Sequence, residues 1–544
     1  MFFDPRPVPP WQRRLYGKWG LVALLATFLL VGTTGHDPWR GIDLRHFFVA
    51  WQVLQGEWLL PPALVDGTVP TAGPLYYWVA ALLGLVLEPL GLAPHDATRL
   101  ASPLFLLCTL LCLGAASLSW CGKPWHAGVM LVGIGTLGWI LDAHQHQALL
   151  ASATAIGLAL AAASWRHIHP AKAWIAACVA MTAGFLAQGF ALLLVLAVPW
   201  LASWPGKRIE ARQRLPLLIV TVAIFSLPVL WFVAVWHRTE GGTWLSLQAP
   251  HLTWEFITSS LVDGGRDAVW VTWPLWLLAL WPLRRATNGN GSDARQMAIA
   301  WGMIAAGLVV VAAWPPSNPS DLLVLLPPLT LLATERLRRM PVGARAAFSW
   351  FSAATVLSLV VFAGLAWSAW NLDWPPGLAR HMVRVAPDFE MSGSLWRMGS
   401  ATAVLLAWFV LAVMTPASPL RPAIHWALGV TLAWVVMVLL LEPWFEHTRN
   451  LRPIVEQMQE ALHDRAPACV SVPTREADVR AALVYFGGIP ATLKEGCPVR
   501  FARLRGAQTL PTDGSILWSA TRGQGKRQEY WLLLDNERAR SPHD

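Results

Sequence analysis

The sequence predicts a mainly α, polytopic membrane protein of about 13 transmembrane helices, with juxtamembrane helices on the outer face and a small C-terminal α/β soluble domain. Three observations predict it. Of 544 residues, 55% are hydrophobic and only 13% are charged, too apolar and too charge-poor for an ordinary soluble chain. Apolar runs of spanning length, roughly 17 to 25 residues, recur from 19–35 to 422–441. From Phe445 the composition becomes that of a soluble domain.

The basic N-terminus MFFDPRPVPPWQRRLYGKWG leads into LVALLATFLLVG with no small-residue cleavage site after it, so a retained first span is expected rather than a signal peptide. After 19–35, spans are drawn at 98–120, 124–141, 147–165, 172–187, 189–203, 214–236, 268–283, 297–313, 320–334, 344–370, 398–415 and 422–441. The remaining apolar stretch, 74–90, is short and closes on Glu88 and Pro89. The positive-inside rule decides it. If 74–90 does not span, Lys123, RHIHPAK, KRIEARQR, LRRATNGNGSDARQ, ERLRRMPVGAR and Arg421 share the side of the basic N-terminus; if it spans, nearly all of them change sides. It is read as a helix lying at the outer face. The expectation is a multi-pass protein of the plasma (inner) membrane, with a cytoplasmic N-terminus and an extracytoplasmic C-terminal domain. The formal charge of +9 then reads as orientation, and nucleic acid is excluded as a partner.

Two domains follow: 1–443, membrane-embedded with an outer loop at 36–97, and 444–544, soluble. In the second, NLRPIVEQMQEAL spaces Ile454, Met458 and Leu462 as one helix face, ACVSVP, SILWSA and EYWLLL read as strands, and EADVRAALVYFGG is a helix ended by glycine. Cys469 and Cys497 are either a disulfide or two free buried thiols. Cys108, Cys112, Cys121 and Cys178 show no metal-ligand spacing and are assigned to packing. Most of the 34 tryptophans sit near span ends, as an interfacial belt requires; a few on the outer side, such as Trp244 and Trp254, are candidates for stacking on a sugar, which the sequence does not single out. No phosphate-cradling glycine loop, zinc spacing or internal repeat is present.

The charges also inform by their absence. Almost none lies inside a drawn span away from its ends, whereas ion-coupled transport uses ionisable groups near the midplane. Chemistry is therefore expected at a surface. The outer side holds the longest polar segments, 36–97, 237–267, 371–397 and the tail, and receives Asp43 after the first span and Asp142 after the third. A carboxylate there can take a proton from an acceptor hydroxyl while cations hold a leaving phosphate.

Asp43, Gly56-Glu57-Trp58, Pro61, Pro74-Leu75-Tyr76-Tyr77-Trp78 and Arg99-Leu100 together resemble the N-terminal half of GT-C glycosyltransferases. The similarity is to families 39 and 83, the protein O-mannosyltransferases and the lipid A aminoarabinose transferases, with some likeness to family 87 mannosyltransferases. Asp142, GFLAQGFALLLVLAVPW, LLVLLPPLTLLAT and, weakly, YFGG in the tail extend it over nearly the whole chain. The resemblance implies a transferase that takes a sugar from a polyprenyl-phosphate carrier at the outer face and passes it to an envelope lipid, glycan or protein acceptor. It implies that Asp43 is the catalytic acid residue and Asp142 its second. Arg45, His46, His144, His146, Arg266, Tyr76 and Tyr77 are the candidates for binding phosphate or acceptor. No cofactor is assigned, and a divalent metal is left open. The family's usual Asp-Glu pair is Asp43-Leu44 here, Thr71-Ala72-Gly73 stands where a phosphate-contacting lysine is found, Gln188 replaces the lysine of G-x-x-x-K-G, and SNPSDLL lacks a basic residue. A lipid or glycan transporter and a catalytically silent scaffold of the same fold are the alternatives. Substitution of Asp43 by Asn, with folding intact, is expected to separate them from the enzyme.

Overall fold

The structure, a computed structural model, describes residues 16–535 apart from 67–68, 70–71, 123–124, 205–209, 239–242, 282–290, 315–318, 387–388, 391–393, 417, 464–466, 506–514 and 523–527. Lys123, Lys207, Arg208, Arg284, Arg285 and Thr71, used in the sequence argument, lie outside the described residues.

The chain is polytopic and helical. Among the described residues seven helices are long and apolar enough to cross a membrane: Pro94–Trp120, Pro170–Gln188, Ala211–Arg238, Ala294–Ala313, Val342–Asn371, Ser394–Met414 and Arg421–Leu462. Three more drawn spans are shorter apolar helices, Lys18–Leu30, Leu149–Trp165 and Phe190–Ala202. The other three are interrupted, so the count of 13 does not stand as 13 continuous helices.

Each interruption has a local cause. In 124–141, helices His126–Ile134 and Leu137–Asp142 are separated at Gly135, where Trp426 sits so close that a Cβ would meet its ring at 2.0 Å. The freed backbone is satisfied internally, as a bilayer demands: Trp426 Nε1 donates to Gly135 O at 2.6 Å, and Leu137 N–H to Trp273 O at 3.1 Å. In 268–283, Pro274 stands between helices Trp254–Val271 and Leu275–Ala279. In 320–334, a 3-10 turn, Pro319–Leu325, precedes helix Leu326–Arg339, whose first turn tolerates Pro327 and Pro328 because the donors they lack would be unpaired there.

Between the first two spans the chain makes helices Ile42–Leu54, Pro62–Val65, Leu75–Leu87 with a 3-10 turn to Leu90, and Pro94–Arg99. The segment 74–90 is thus a short helix packed against Ile42–Leu54.

The last long helix continues past residue 443 to Arg449 and is followed by helix Arg452–Leu462. The α/β part then forms β1 (Val470–Ser471), helix Ala477–Gly487, β2 (Ala491–Thr492), β3 (Val499–Arg505), β4 (Ile516–Arg522) and β5 (Glu529–Asp535). The sheet order is β2-β1-β3-β5-β4, parallel across β2-β1-β3 and antiparallel across β3-β5-β4. Of the two cysteine alternatives, the structure has the disulfide, Cys469 to Cys497. Val470, Phe501, Trp531 and Leu533 are buried in one apolar cluster with Val455, Met458, Val479 and Leu483. Each such large apolar side chain contributes roughly 1.5–3 kcal/mol on burial.

This sheet part sits directly on segment 36–97. Arg452 makes a paired contact with Asp37 at 2.6 and 2.7 Å, Arg480 bridges Asp66, and Arg40 reaches Glu529 at 3.1 Å. Tyr485 packs edge-on against Phe47, ring centroids 4.6 Å apart, and its hydroxyl meets His95 Nδ1 at 3.1 Å.

Candidate active site

Helix Ile42–Leu54 begins after Gly41, whose φ of 106° turns the chain out of the preceding loop at a value that side chains avoid. Its first turn carries Asp43, which is 1% exposed. One oxygen, Oδ2, accepts Trp39 N–H at 2.8 Å and faces the Arg99 guanidinium at 3.5 Å. The other, Oδ1, accepts both the backbone N–H and the Nδ1–H of His146, each at 2.7 Å. Arg99, fully buried, also donates to the carbonyls of Thr33 and His36 at 3.2 Å and to Asp96 at 3.0 Å. Burial alone would push the Asp43 pKa up, but Arg99 and His146 outweigh it and hold the carboxyl well below the usual carboxylate range. Asp43 is ionised at neutral pH, and its acceptor positions are taken.

The surrounding imidazoles are neutral. Burial pushes His36 down to about 4 and His46 to about 3, with Arg99 adding to the effect at His36. His146 Nε2 meets Thr98 Oγ1 at 3.0 Å, so carboxylate, imidazole and hydroxyl stand in the order of a hydrolytic triad. That row is structural: Thr98 is fully buried and its hydroxyl lies 2.7 Å from Pro94 O.

Asp142 ends the short helix Leu137–Asp142 and is half-buried. Its Oδ1 accepts Gln147 Nε2 and Ser320 Oγ, both at 3.0 Å, while Oδ2 takes no hydrogen bond from a described residue. Burial pushes its pKa up to about 6. The two acids therefore hold the same turn, 142–147, Asp142 through Gln147 and Asp43 through His146. Beside it, the Tyr76 hydroxyl lies 2.7 Å from Ser102 Oγ, and both lie 3.2 Å from Gln147 N–H. Tyr77 OH meets His46 Nδ1 at 2.7 Å.

Of the residues expected from the sequence, the structure brings together Asp43, His46, His146, Tyr76 and Tyr77, with Asp142 joined through the turn. Arg45 follows Asp43 on the same helix, half-buried, its Nε without a hydrogen-bond partner among the described residues. His144 and Arg266 sit elsewhere. The His144 nitrogens face the carbonyls of Ile140 and Phe28, and its ring stacks on Trp434 at 4.1 Å. The Arg266 side chain is 74% exposed and lies 3.6 Å from Asp267. Trp244 is buried and Trp254 is exposed. Sequence reasoning missed Arg99 as the counter-ion of Asp43, although the Arg-Leu pair was in view, and gave no signal for Trp39, Thr98 or Ser102.

The two places where lysines are missing touch each other. Gly73 N–H donates to Ala187 O at 2.7 Å, and a Cβ on Gly73 would lie 2.3 Å from Leu186 O. One helix ends at Gln188 and the next begins at Phe190; between them Gly189, with φ of 68°, would place a Cβ 2.1 Å from Gln248 Oε1. Gln188 is buried, and Trp244 Nε1 points at Ala72 O, 3.4 Å away. Backbone and aromatic surface fill this junction. Among the described residues no group of three His, Cys, Asp or Glu side chains is disposed to hold a metal ion.

Fold and site together define a polytopic membrane protein with a buried acid–cation centre roofed by an α/β domain. That architecture is found in ArnT from Cupriavidus metallidurans bound to undecaprenyl phosphate, with a TM-score of 0.58 and 18% identity over 96% of this chain and 98% of that one. The apo state of the same protein matches at 0.56 and 17%, with the same coverage. No family model matches the chain, and no curated protein matches it in sequence.

Proposed function

We propose that this chain is a membrane glycosyltransferase that moves a sugar from a polyprenyl-phosphate donor to a hydroxyl of an envelope lipid, glycan or protein at the outer face of the inner membrane. The observation that carries the reading is end-to-end likeness of fold, over 96% of the chain, to a protein crystallised with undecaprenyl phosphate. In the transfer, the acceptor hydroxyl loses its proton to a carboxylate, its oxygen bonds to the anomeric carbon, and the bond from that carbon to the phosphate oxygen breaks. The polyprenyl phosphate leaves with the electron pair. Asp142 is the better proton acceptor, since its Oδ2 takes no hydrogen bond from a described residue and a pKa near 6 matches the task at neutral pH. Asp43 binds and orients His146 and Arg99. Arg45, whose Nε has no hydrogen-bond partner among the described residues, is the candidate for the leaving phosphate, in place of the missing lysines.

The disulfide in the tail supports an extracytoplasmic C-terminal domain and, through the basic loops, a cytoplasmic N-terminus. The test is transfer by the purified chain from a panel of polyprenyl-phosphate sugars, with mass spectrometry of the acceptors. Sugar-bearing product from wild type and none from Asp142→Asn is the expected result. Equal product from both removes Asp142 from the reaction; no product from any donor, despite a phenotype on deletion, favours the silent scaffold, a reading that the packed Gly73–Ala187 junction supports.

A further inference from the structure

A cavity of about 960 Å³ opens between helices Val342–Asn371, Ser394–Met414 and Arg421–Leu462, away from the acidic centre. Arg421 starts a helix whose other end, Arg449, accepts the N–H of Arg40 at 3.0 Å beside the Asp43 site. At 1.5 Å per residue those ends are roughly 42 Å apart, so the cavity belongs to the opposite surface of the membrane. This is the end of the bundle to which the basic loops were assigned.

Three cationic or basic side chains, Arg345, Arg421 and His425, line it, and no acidic residue does. Three of its buried polar atoms have no hydrogen-bond partner among the described residues: Arg421 Nε, His425 Nε2 and Trp408 Nε1. Native structures satisfy nearly all buried polar atoms, and the Arg421 guanidinium and the Trp408 indole can only donate, so these two mark where oxygen acceptors belong. Apart from Ser349, Ser352 and Ser418 the rest of the lining is apolar, and Trp350, Leu357, Phe409 and Val413 stand well exposed. A volume near the top of the range for small-molecule sites suits a head group plus the start of a chain.

We propose that this cavity binds an anionic phospholipid of the cytoplasmic leaflet, its phosphate held by Arg345, Arg421 and the Trp408 indole and one acyl chain lying along Trp350, Leu357, Phe409 and Val413. The charge complementarity commits the occupant: unopposed cations at the head-group level of an apolar groove select an anionic lipid over a zwitterionic one. The site is independent of the sugar-transfer reading, because none of its residues belongs to the acidic centre.

Native mass spectrometry of the full chain in detergent, titrated with phosphatidylglycerol or with phosphatidylcholine of matched chains, tests it. Wild type should retain phosphatidylglycerol adducts with about ten-fold preference, and Arg345→Gln with Arg421→Gln should abolish that preference while phosphatidylcholine adducts persist. Arg345→Lys with Arg421→Lys should keep most of it. If the double glutamine variant does not fold, Trp408→Phe, which removes one donor and almost no volume, should still weaken the phosphatidylglycerol adduct severalfold. Equal retention of the two lipids by wild type, or undiminished phosphatidylglycerol binding in both the double glutamine variant and Trp408→Phe, overturns the proposal. Displacement by inorganic phosphate as effective as by lipid overturns the lipid assignment.

Discussion

Replacing Asp43 with Asn measures stability before it measures chemistry. The substitution is nearly isosteric, yet it removes the negative charge that faces Arg99 at 3.5 Å in a site where both side chains are buried. Breaking a buried ion pair from one side costs about 3–5 kcal/mol, because the other charge is left behind. Here Arg99 keeps Asp96 at 3.0 Å and two backbone carbonyls at 3.2 Å, which places the loss at the low end, about 3 kcal/mol. One amide oxygen also cannot accept from both Trp39 and His146. The assay is denaturant-induced unfolding in detergent micelles, read by tryptophan fluorescence, for wild type, Asp43→Asn and Asp43→Asn combined with Arg99→Gln. The double variant should recover part of the loss. The sign with pH follows from a folded-state pKa lowered below the ordinary carboxylate value: the contribution is fully present above about pH 4 and fades as pH falls further. Asp43→Asn within about 0.5 kcal/mol of wild type, with Arg99 still buried, would refute the assignment of Asp43 as an electrostatic hinge pin.

The other predictions concern separate parts of the molecule. Asp142→Asn keeps an oxygen for Gln147 and Ser320, so it should leave stability within about 1 kcal/mol of wild type while lowering transfer by roughly 10²–10⁴-fold. In wild type, kcat/KM should rise with pH through about 6, where the Asp142 carboxyl loses its proton, and level off above; a profile flat from pH 5 to 8 counts against Asp142 as base. Arg45→Ala should raise KM for a polyprenyl-phosphate donor by about ten-fold or more with the melting temperature unchanged, since no described residue is bonded to its Nε. Gly73→Ala forces a methyl to 2.3 Å from a backbone oxygen and should destabilise by about 2–3 kcal/mol, seen as a lowered unfolding midpoint.

Much of the fold could be read from the sequence because the bilayer imposes one strong rule, an apolar run of fixed length. Every run that was drawn contains a helix. What the runs could not reveal is where a helix is broken and repaired, since the partner that repairs it is remote: Trp426 at Gly135 is 291 residues away. The site divides in the same way. Asp43 and Asp142 stood out through position alone. Arg99 did not, because its meaning depends on four groups spread over the first hundred residues, Thr33, His36, Asp43 and Asp96, converging on one guanidinium. His144 and His146 are two residues apart and reach different places, Phe28 and Trp434 for one, Asp43 for the other; only the geometry of the turn distinguishes them.

Tyr485, from the far end of the chain, completes the aromatic packing over Phe47, which in turn lies 5.2 Å from the His146 ring. A truncated protein ending after the last long helix would therefore not be a smaller version of the same machine. It would lose the ceiling over its own acidic centre and leave Asp37 and Asp66 without their arginines. Grafting the tail of a relative onto this membrane half should succeed only if Phe47, Trp51, His95 and the two aspartates travel with it, which makes the seam, rather than either half, the unit that must be inherited together.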